Sequence, residues 1–471
     1  MNPMNEPKAH LIIPVENQVR ELDAKLLLAC VAADRGFSAV IGSRLEVDFR
    51  IASFPESFYL SKSMTARSVR MFRIMERLGH VVAAWDEEAL VHPPPDAYYS
   101  RRLSPVAIRY VSLLFSWGRD NTRLWRGYPH LPGDVPIHVT GNPRGDMLRP
   151  EMLGYFSKEA DALRDAYGDF LLINTNFSNV NAFYPGQNLF LPGTRPGEPE
   201  RFGRGALGMS RAFAEGLRDH KQAVFESFKE VIPALEAAFP RLRIVVRPHP
   251  VENPEVYHRI ASRCRRVAVL NRGNVVPWLM AARAVVHNGC TTGIEAYIMG
   301  VPAVSYQAAG LREYDNGFYR LPNALSHQCF DFDELAETLK KIVSGELGAA
   351  GGEARRALMD RYLAAREGPL ACRRIVDVIE AIVDGGGGPE RTALKNRLIG
   401  RGLAARRRGV KWCRSFLPGS KYRPEFQRHR YPGISLSALR ERISRFRELS
   451  GMDGEIVADP LPGGIFRIHR P

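Results

Sequence analysis

Three short stretches combine residue types that can hold a phosphate and move a proton. The first, "VVHNGCTTGIEAYIMGVPAVSY" (285–306), opens apolar, turns small and polar, then reads as a helix that stops at Gly300. A helix start offers unpaired N–H groups and the positive end of the dipole, which suits a phosphate. Asn288 sits at the turn, Thr291 and Thr292 add hydroxyl donors, and Gly289 and Gly293 let a backbone come close. Glu295 can accept hydrogen bonds from ribose hydroxyls. The same spacing, Thr292-x-x-Glu295, is also that of a capping box, so ordinary capping stands beside phosphate binding.

The second stretch, "RPHP" (247–250), holds Arg247 and His249, with Pro250 and its fellow proline fixing the local backbone. An imidazole held at a strand end can donate to a phosphate oxygen and stabilise a leaving group. The bland reading is a surface histidine in a proline-rich turn. The third stretch, "WDEEAL" (85–90), sets Asp86, Glu87 and Glu88 after an apolar run. Adjacent carboxylates raise one another's pKa, which equips one as a general base near neutral pH. A solvated helix start is the alternative.

Further polar groups share the pattern of following an apolar run. Glu16 and Arg20 are acceptor-side candidates, although Arg20 and the nearby Lys25 fit solvated helix charges equally well. Asn174, Asn176, Ser178 and Asn179 offer hydrogen bonds, and Asn142 and Arg144 lie in "GNPRGD", where a turn is the alternative. The "DFDE" stretch suggests a metal–diphosphate site, but Asp331-x-x-Glu334 before "LAETLKKIV" is better explained as a helix N-cap. No metal and no cofactor are expected.

The elements that must position these groups alternate. Apolar runs at 10–15, 38–42, 80–85, 113–118 and 137–143 read as strands, separated by helix-length segments such as 21–36 and about 65–78. The pattern restarts with 169–179, 243–250, 266–271, 284–289 and 302–306, around a long helix at about 209–238. Strands alternating with helices predict parallel sheets built from βαβ units. The expected fold is α/β: two Rossmann-like parallel-sheet domains facing across a cleft, with a basic, mostly helical tail. The boundaries expected are 1–155, 156–385 and 386–471, with "DGGGGPE" (384–390) as a hinge that detaches the tail. In such sheets ligands sit at the carboxyl ends of the strands, where every cluster above falls.

Composition narrows the class. A chain of 471 residues exceeds one compact core. The six cysteines are scattered, with no CxxC pair, which fits reduced thiols in a cytoplasmic setting. The N-terminal segment lacks a basic region and a long apolar run, so no signal peptide is expected, and no stretch is long enough to span a bilayer. The net charge of +15 is concentrated at the end of the chain, where 391–471 holds 19 Lys and Arg against 6 Asp and Glu. "KNRLIGRGLAARRRGVKWCRSF" interleaves those cations with Leu, Ile, Val, Trp412 and Phe416. A basic amphipathic segment of this kind suits an anionic membrane surface. That implies a cytoplasmic protein peripheral to the inner membrane. Nucleic acid is the rival, but no recognition motif accompanies the charge.

Taken in order, "VENQVRELDAKLLLA", "WDEEALV", "VTGNPRGDMLRPE", "LLINTNFSNVN", "VVRPHPVENP" and "HNGCTTGIEAYIMGVPAVSY" resemble the surface carbohydrate biosynthesis proteins. These are glycosyltransferases of the two-Rossmann-domain (GT-B) type that build bacterial capsule and lipopolysaccharide. The "RPHP" and "CTTGIEA" pair is also similar to elements of bacterial sialyltransferases, Kdo transferases and CDP-glycerol glycerophosphotransferases. The resemblance implies that His249, Thr291 and Thr292 bind the phosphate of a cytidine nucleotide and that Glu295 lies near its ribose. It implies that Glu88 is the base, with Ala89 standing where sialyltransferases carry Gly. The expected donor is a CMP-activated sugar acid and the expected acceptor a lipid-linked or other glycan. The other readings are a CDP-glycerol-type phosphotransferase, a non-catalytic scaffold of a polysaccharide assembly complex and a sugar-nucleotide epimerase.

Overall fold

The computed structural model describes residues 6–195, 197–310, 312–314 and 317–471. Residues 1–5, where the N-terminal reading begins, lie outside that range, as does position 196 in the loop before the long helix. The chain divides into two compact units, one made of 1–155 together with 358–471 and the other of 156–357.

In the first unit β1 (His10–Val15), β2 (Ser38–Ser43), β3 (Phe58–Ser61), β4 (Val81–Ala84), β5 (Val111–Ser116) and β6 (Ile137–Val139) form a parallel sheet ordered β2-β1-β3-β4-β5-β6. The β1–β2 connection is helix α1 (Gln18–Asp34), followed by Gly36 at a φ of +88°. The sheet is apolar on both faces because α1 and α2 (Val69–Leu78) cover it, so its strands read as continuous hydrophobic runs.

The second unit has a six-stranded parallel sheet, formed by β7 (Phe170–Asn174), β10 (Arg243–Arg247), β11 (Val267–Val269), β12 (Ala284–His287), β13 (Ala303–Tyr306) and β14 (His327–Cys329). Its order is β11-β10-β7-β12-β13-β14. A small hairpin, β8 (Phe190–Leu191) with β9 (Arg201–Phe202), precedes the long helix α3 (Arg211–Ala238). Helix α4 (Thr292–Met299) follows β12. Asp331 caps the helix Phe332–Ser344 by accepting from the Glu334 N–H at 2.8 Å, and Glu334 accepts from the Phe330 N–H just before the cap, so both carboxylates serve the helix start.

The C-terminal segment departs from the sequence expectation. It is not a detached tail, and 358–385 groups with the first unit rather than closing the second. Helix α5 (Ala371–Asp384) begins where the buried Asp146 accepts from the Ala371 and Cys372 N–H groups. Helix α6 (Leu394–Ser415) lies on α2: a Cβ at Gly400 would sit 2.9 Å from Leu78. After α7 (Pro424–Arg430) and α8 (Leu436–Ser450) come β15 (Val457–Leu461) and β16 (Ile465–His469). Strand β16 pairs antiparallel with β2, Arg467 opposite Val40, and extends the first sheet to eight strands. The high arginine content of the segment hid two strands and a packing face.

Candidate functional site

In the second unit the carboxyl ends of β10, β7 and β12 lie side by side, with Arg247 opposite Asn174 and Val286 opposite Ile173. Asn174, the last residue of β7, donates from Nδ2 to Thr292 Oγ1 at 3.0 Å, and that hydroxyl donates to Cys290 Sγ at 3.1 Å. Thr291 is the N-cap of α4 but makes no side-chain capping bond. The capping box allowed by the Thr292–Glu295 spacing is therefore not formed, and the two hydroxyls are not spent on capping. Glu295 is buried in the first turn of α4, and Asn176 is half-buried in the loop after β7.

His249 is exposed in the loop after β10, and Pro250 beside it is exposed too. The Val251 N–H reaches His249 Nδ1 at 3.4 Å, an arrangement that leaves the proton of a neutral ring on Nε2. The loop is held from below by Glu252, which the sequence reading passed over. Its buried carboxylate accepts from the Thr175 hydroxyl at 3.0 Å, the Phe177 N–H at 2.9 Å, the His249 N–H at 3.2 Å and the Tyr257 hydroxyl at 2.6 Å. One side chain thus ties the β10 loop to the β7 loop. Burial pushes its pKa up, while the four donors favour the ionised form.

Other candidates are occupied elsewhere. Arg247 gives its fork to the carbonyls of Arg272 (2.7 Å) and Gly273 (3.0 Å) and lies over the Trp278 ring, and burial lowers its pKa to about 10. Its guanidinium shapes the next loop. Asn288 donates to the Tyr306 carbonyl at 2.8 Å. The glycines come close to protein rather than leaving room for a ligand. Gly289 has a φ of +59°, and a Cβ there would lie 2.3 Å from the Tyr319 ring; at Gly293 it would lie 2.3 Å from His287 Nε2.

The first unit gathers a charged cluster at the carboxyl ends of β1, β3 and β4. Lys25, which the sequence leaves open between an acceptor contact and a solvated charge, is 2% exposed and donates to the Pro14 carbonyl and Glu21, both at 2.8 Å, with Glu87 at 3.3 Å. Lys62, just after β3, bonds Glu21 at 2.6 Å and lies 3.1 Å from Glu16. Burial would raise the Glu21 pKa, but Lys25 and Lys62 outweigh it and hold that carboxyl well below the usual range. Glu16 meets Lys62, Arg44 and Arg430, and against its partial burial these three bring it down to about 2.

The three neighbouring carboxylates do not act on one another as expected. Each has its own cation. Asp86 takes a two-point bond from Arg102 and a 2.8 Å bond from the Tyr98 hydroxyl. Glu87 Oε1 accepts from the Trp85 indole at 3.0 Å and meets Lys25, while its buried Oε2 has no hydrogen-bond partner among the described residues. Glu88 pairs with Arg20 through both oxygens, at 2.9 and 3.3 Å, and is 39% exposed. Burial favours its neutral form, yet Arg20, Arg144 and Arg102 pull the Glu88 pKa down to about 2, the reverse of the sequence expectation. Asn142 caps the turn Pro143–Asp146 by accepting from the Arg144 N–H at 3.0 Å.

No family model matches the chain, and no curated protein matches it. Among solved structures it is similar to the wall teichoic acid polymerase TagF at 12% identity and a TM-score of 0.48, over 81% of this chain and 90% of the other. It is similar to the UDP-GlcNAc 2-epimerase of Methanocaldococcus jannaschii in complex with UDP-GlcNAc and UDP, at 12% identity and a TM-score of 0.46, over 79% and 99%. The corresponding Neisseria meningitidis enzyme bound to UDP-GlcNAc gives 11% and 0.43, over 80% and 99%. The α/β class, with one parallel sheet and one mainly parallel sheet that ends in an antiparallel pair, is read from the strand order and pairing.

No described helix is long and apolar enough to cross a membrane.

Proposed function

We propose that the chain is a glycosyltransferase of bacterial surface polysaccharide synthesis, and that its donor is a CMP-activated sugar acid. The observation that carries this reading is the Asn174–Thr292 bond at the β7 and β12 ends, beside a His249 loop fixed by Glu252. Two hydroxyls left out of capping, a helix N-terminus and an exposed imidazole whose Nδ1 accepts from the Val251 N–H make the donor set proposed for one phosphate. Glu295 binds the ribose in this reading, while Arg247 and Asn288 act only by shaping the loops.

In this reading the acceptor hydroxyl gives its proton to Glu88, the exposed one of the three neighbouring carboxylates and ionised at neutral pH. The acceptor oxygen bonds to the anomeric carbon as the bond from that carbon to the phosphate oxygen breaks. CMP leaves with the electron pair, and His249 and the two threonines stabilise its phosphate. Glu16 and Arg20 border the acceptor.

The test is a thermal-shift panel of CMP, CDP, UDP and GDP. A ligand at about 100 times its dissociation constant adds about 2.7 kcal/mol. CMP is expected to give the largest shift. A larger shift with CDP favours the glycerophosphotransferase, and an equal response to UDP or GDP defeats the cytidine assignment. Loss of transfer in Glu88→Gln with CMP binding intact separates the enzyme from a scaffold.

A further inference from the structure

Helix α6 turns two faces in different directions. Its inner face is fixed to the first unit. Gly400 and Ala404 are buried, Arg407 bonds the buried Asp48 at 2.9 Å, and Thr392, just before the helix, donates to the Arg77 carbonyl at 2.9 Å. The helix therefore cannot roll to hide its other side. That side carries Leu394, Leu398, Ala405, Trp412 and Phe416, spaced by four, seven, seven and four residues, so they form one stripe. Leu394 is 68% exposed, Trp412 62% and Phe416 67%. Arg401 and Arg408 follow one edge of the stripe, with Arg397 beside them half-buried against Glu56, and Lys395 and Arg406 follow the other. The helix has no acidic residue.

We propose that this face docks the protein on an anionic lipid bilayer, with the stripe in the acyl boundary and the two basic edges among the headgroups. The pattern is that of a helix lying in the interface plane. Here the geometry supplies what composition could not, since the inner face is taken by the protein while Leu394, Trp412 and Phe416 of the stripe stay exposed. Beside the stripe, with Trp412 in its wall, opens a cavity of about 1320 Å³ lined by Phe49, Phe54 and Leu461 and edged by Arg401 and Arg408. A second copy is a poor occupant, because stacking two such faces brings like-charged edges together. A nucleic acid accounts for the cations but not for the row of Leu, Trp and Phe between them. The proposal does not depend on the nucleotide reading.

The experiment uses the full chain and vesicles of phosphatidylcholine alone or in equal parts with phosphatidylglycerol. Four of the five tryptophans, Trp85, Trp117, Trp125 and Trp278, are buried, so emission changes on adding vesicles report Trp412. Anionic vesicles are expected to pellet the chain and shift its emission to the blue, with neutral vesicles weaker by about tenfold or more and salt reversing the effect. Arg401→Glu with Arg408→Glu, and separately Trp412→Ser with Phe416→Ser, should each weaken binding by about tenfold or more while the melting curve stays unchanged. Equal binding to both vesicles overturns the proposal, as does pelleting without a blue shift or undiminished binding by either double variant. So does a chain that retains duplex RNA or DNA and leaves anionic vesicles alone, or a dimer that shields Trp412 from acrylamide.

Discussion

Replacing Glu252 is the most direct way to test how the second unit holds its candidate phosphate loop. The carboxylate takes bonds from two hydroxyls, Thr175 and Tyr257, and from two backbone N–H groups, Phe177 and His249. Glu252→Ala strands all four. Hydroxyls can turn to other acceptors, but the two N–H groups cannot. At about 1–3 kcal/mol for a buried donor left unmatched, the Phe177 N–H carries most of the cost and the His249 N–H, in an exposed loop, less, so about 2–3 kcal/mol is expected. Glu252→Gln keeps an oxygen for the N–H pair and gives up mainly the Tyr257 bond, a loss of about 1–2 kcal/mol. Urea unfolding followed by far-UV circular dichroism measures both. The pH dependence has a definite sign. Burial raises this carboxyl above its ordinary 4.5, so the folded state holds the proton more tightly than the unfolded one. The group's contribution to stability is full below 4.5 and is lost as pH rises through the raised value. That slope vanishes in Glu252→Gln. An alanine variant within about 0.5 kcal/mol of the parent, or a glutamine variant worse than alanine, refutes the reasoning.

Thr292→Val keeps shape and removes the hydroxyl; it should weaken CMP about tenfold or more in isothermal titration, and because it strands the buried Asn174 Nδ2 donor it should also cost the free protein about 1–3 kcal/mol. Arg20→Ala removes the largest cationic influence on Glu88, so a carboxyl-carbon NMR titration should find its pKa climbing from about 2 toward the ordinary 4.5. An unmoved titration contradicts the ion pair. The buried Asp146 has its pKa raised to about 6 by burial, from 3.8. Its contribution is therefore full below 3.8 and lost as pH rises to about 6, a change of about 3 kcal/mol, and Asp146→Asn should flatten denaturation midpoints over that window. Truncation after residue 455 removes β15 and β16, bares the β2 edge and should cause concentration-dependent aggregation in light scattering.

The alternation of apolar runs and helix-length segments was enough to read both parallel sheets, because buried parallel strands cannot disguise their hydrophobicity. Strand β3 escaped notice: "FYLS" is four residues long and followed by "KS", which resembles a turn. Its loss hid Lys62. A signal for Lys25 was present, since "LLLACVAA" makes α1 apolar on every side, and a lysine in such a helix has no water to reach. Glu252 lies in a Pro- and Asn-rich turn that looks solvated in one dimension. Only the crossing of the β7 and β10 loops gathers its four donors. The pKa of Glu88 was misjudged for a related reason: neighbours in sequence are not neighbours in charge when each side chain leaves toward a different arginine or lysine.

The pairing of β16 with β2 joins the last residues of the chain to an element formed near its beginning. A ribosome releases the second unit whole while the first is still missing its outer strands. The continuous half can mature early, whereas its partner waits with an open hydrogen-bonding edge until β16 has been made. Termination before Ile465 would therefore yield a chain with one finished half and one adhesive one.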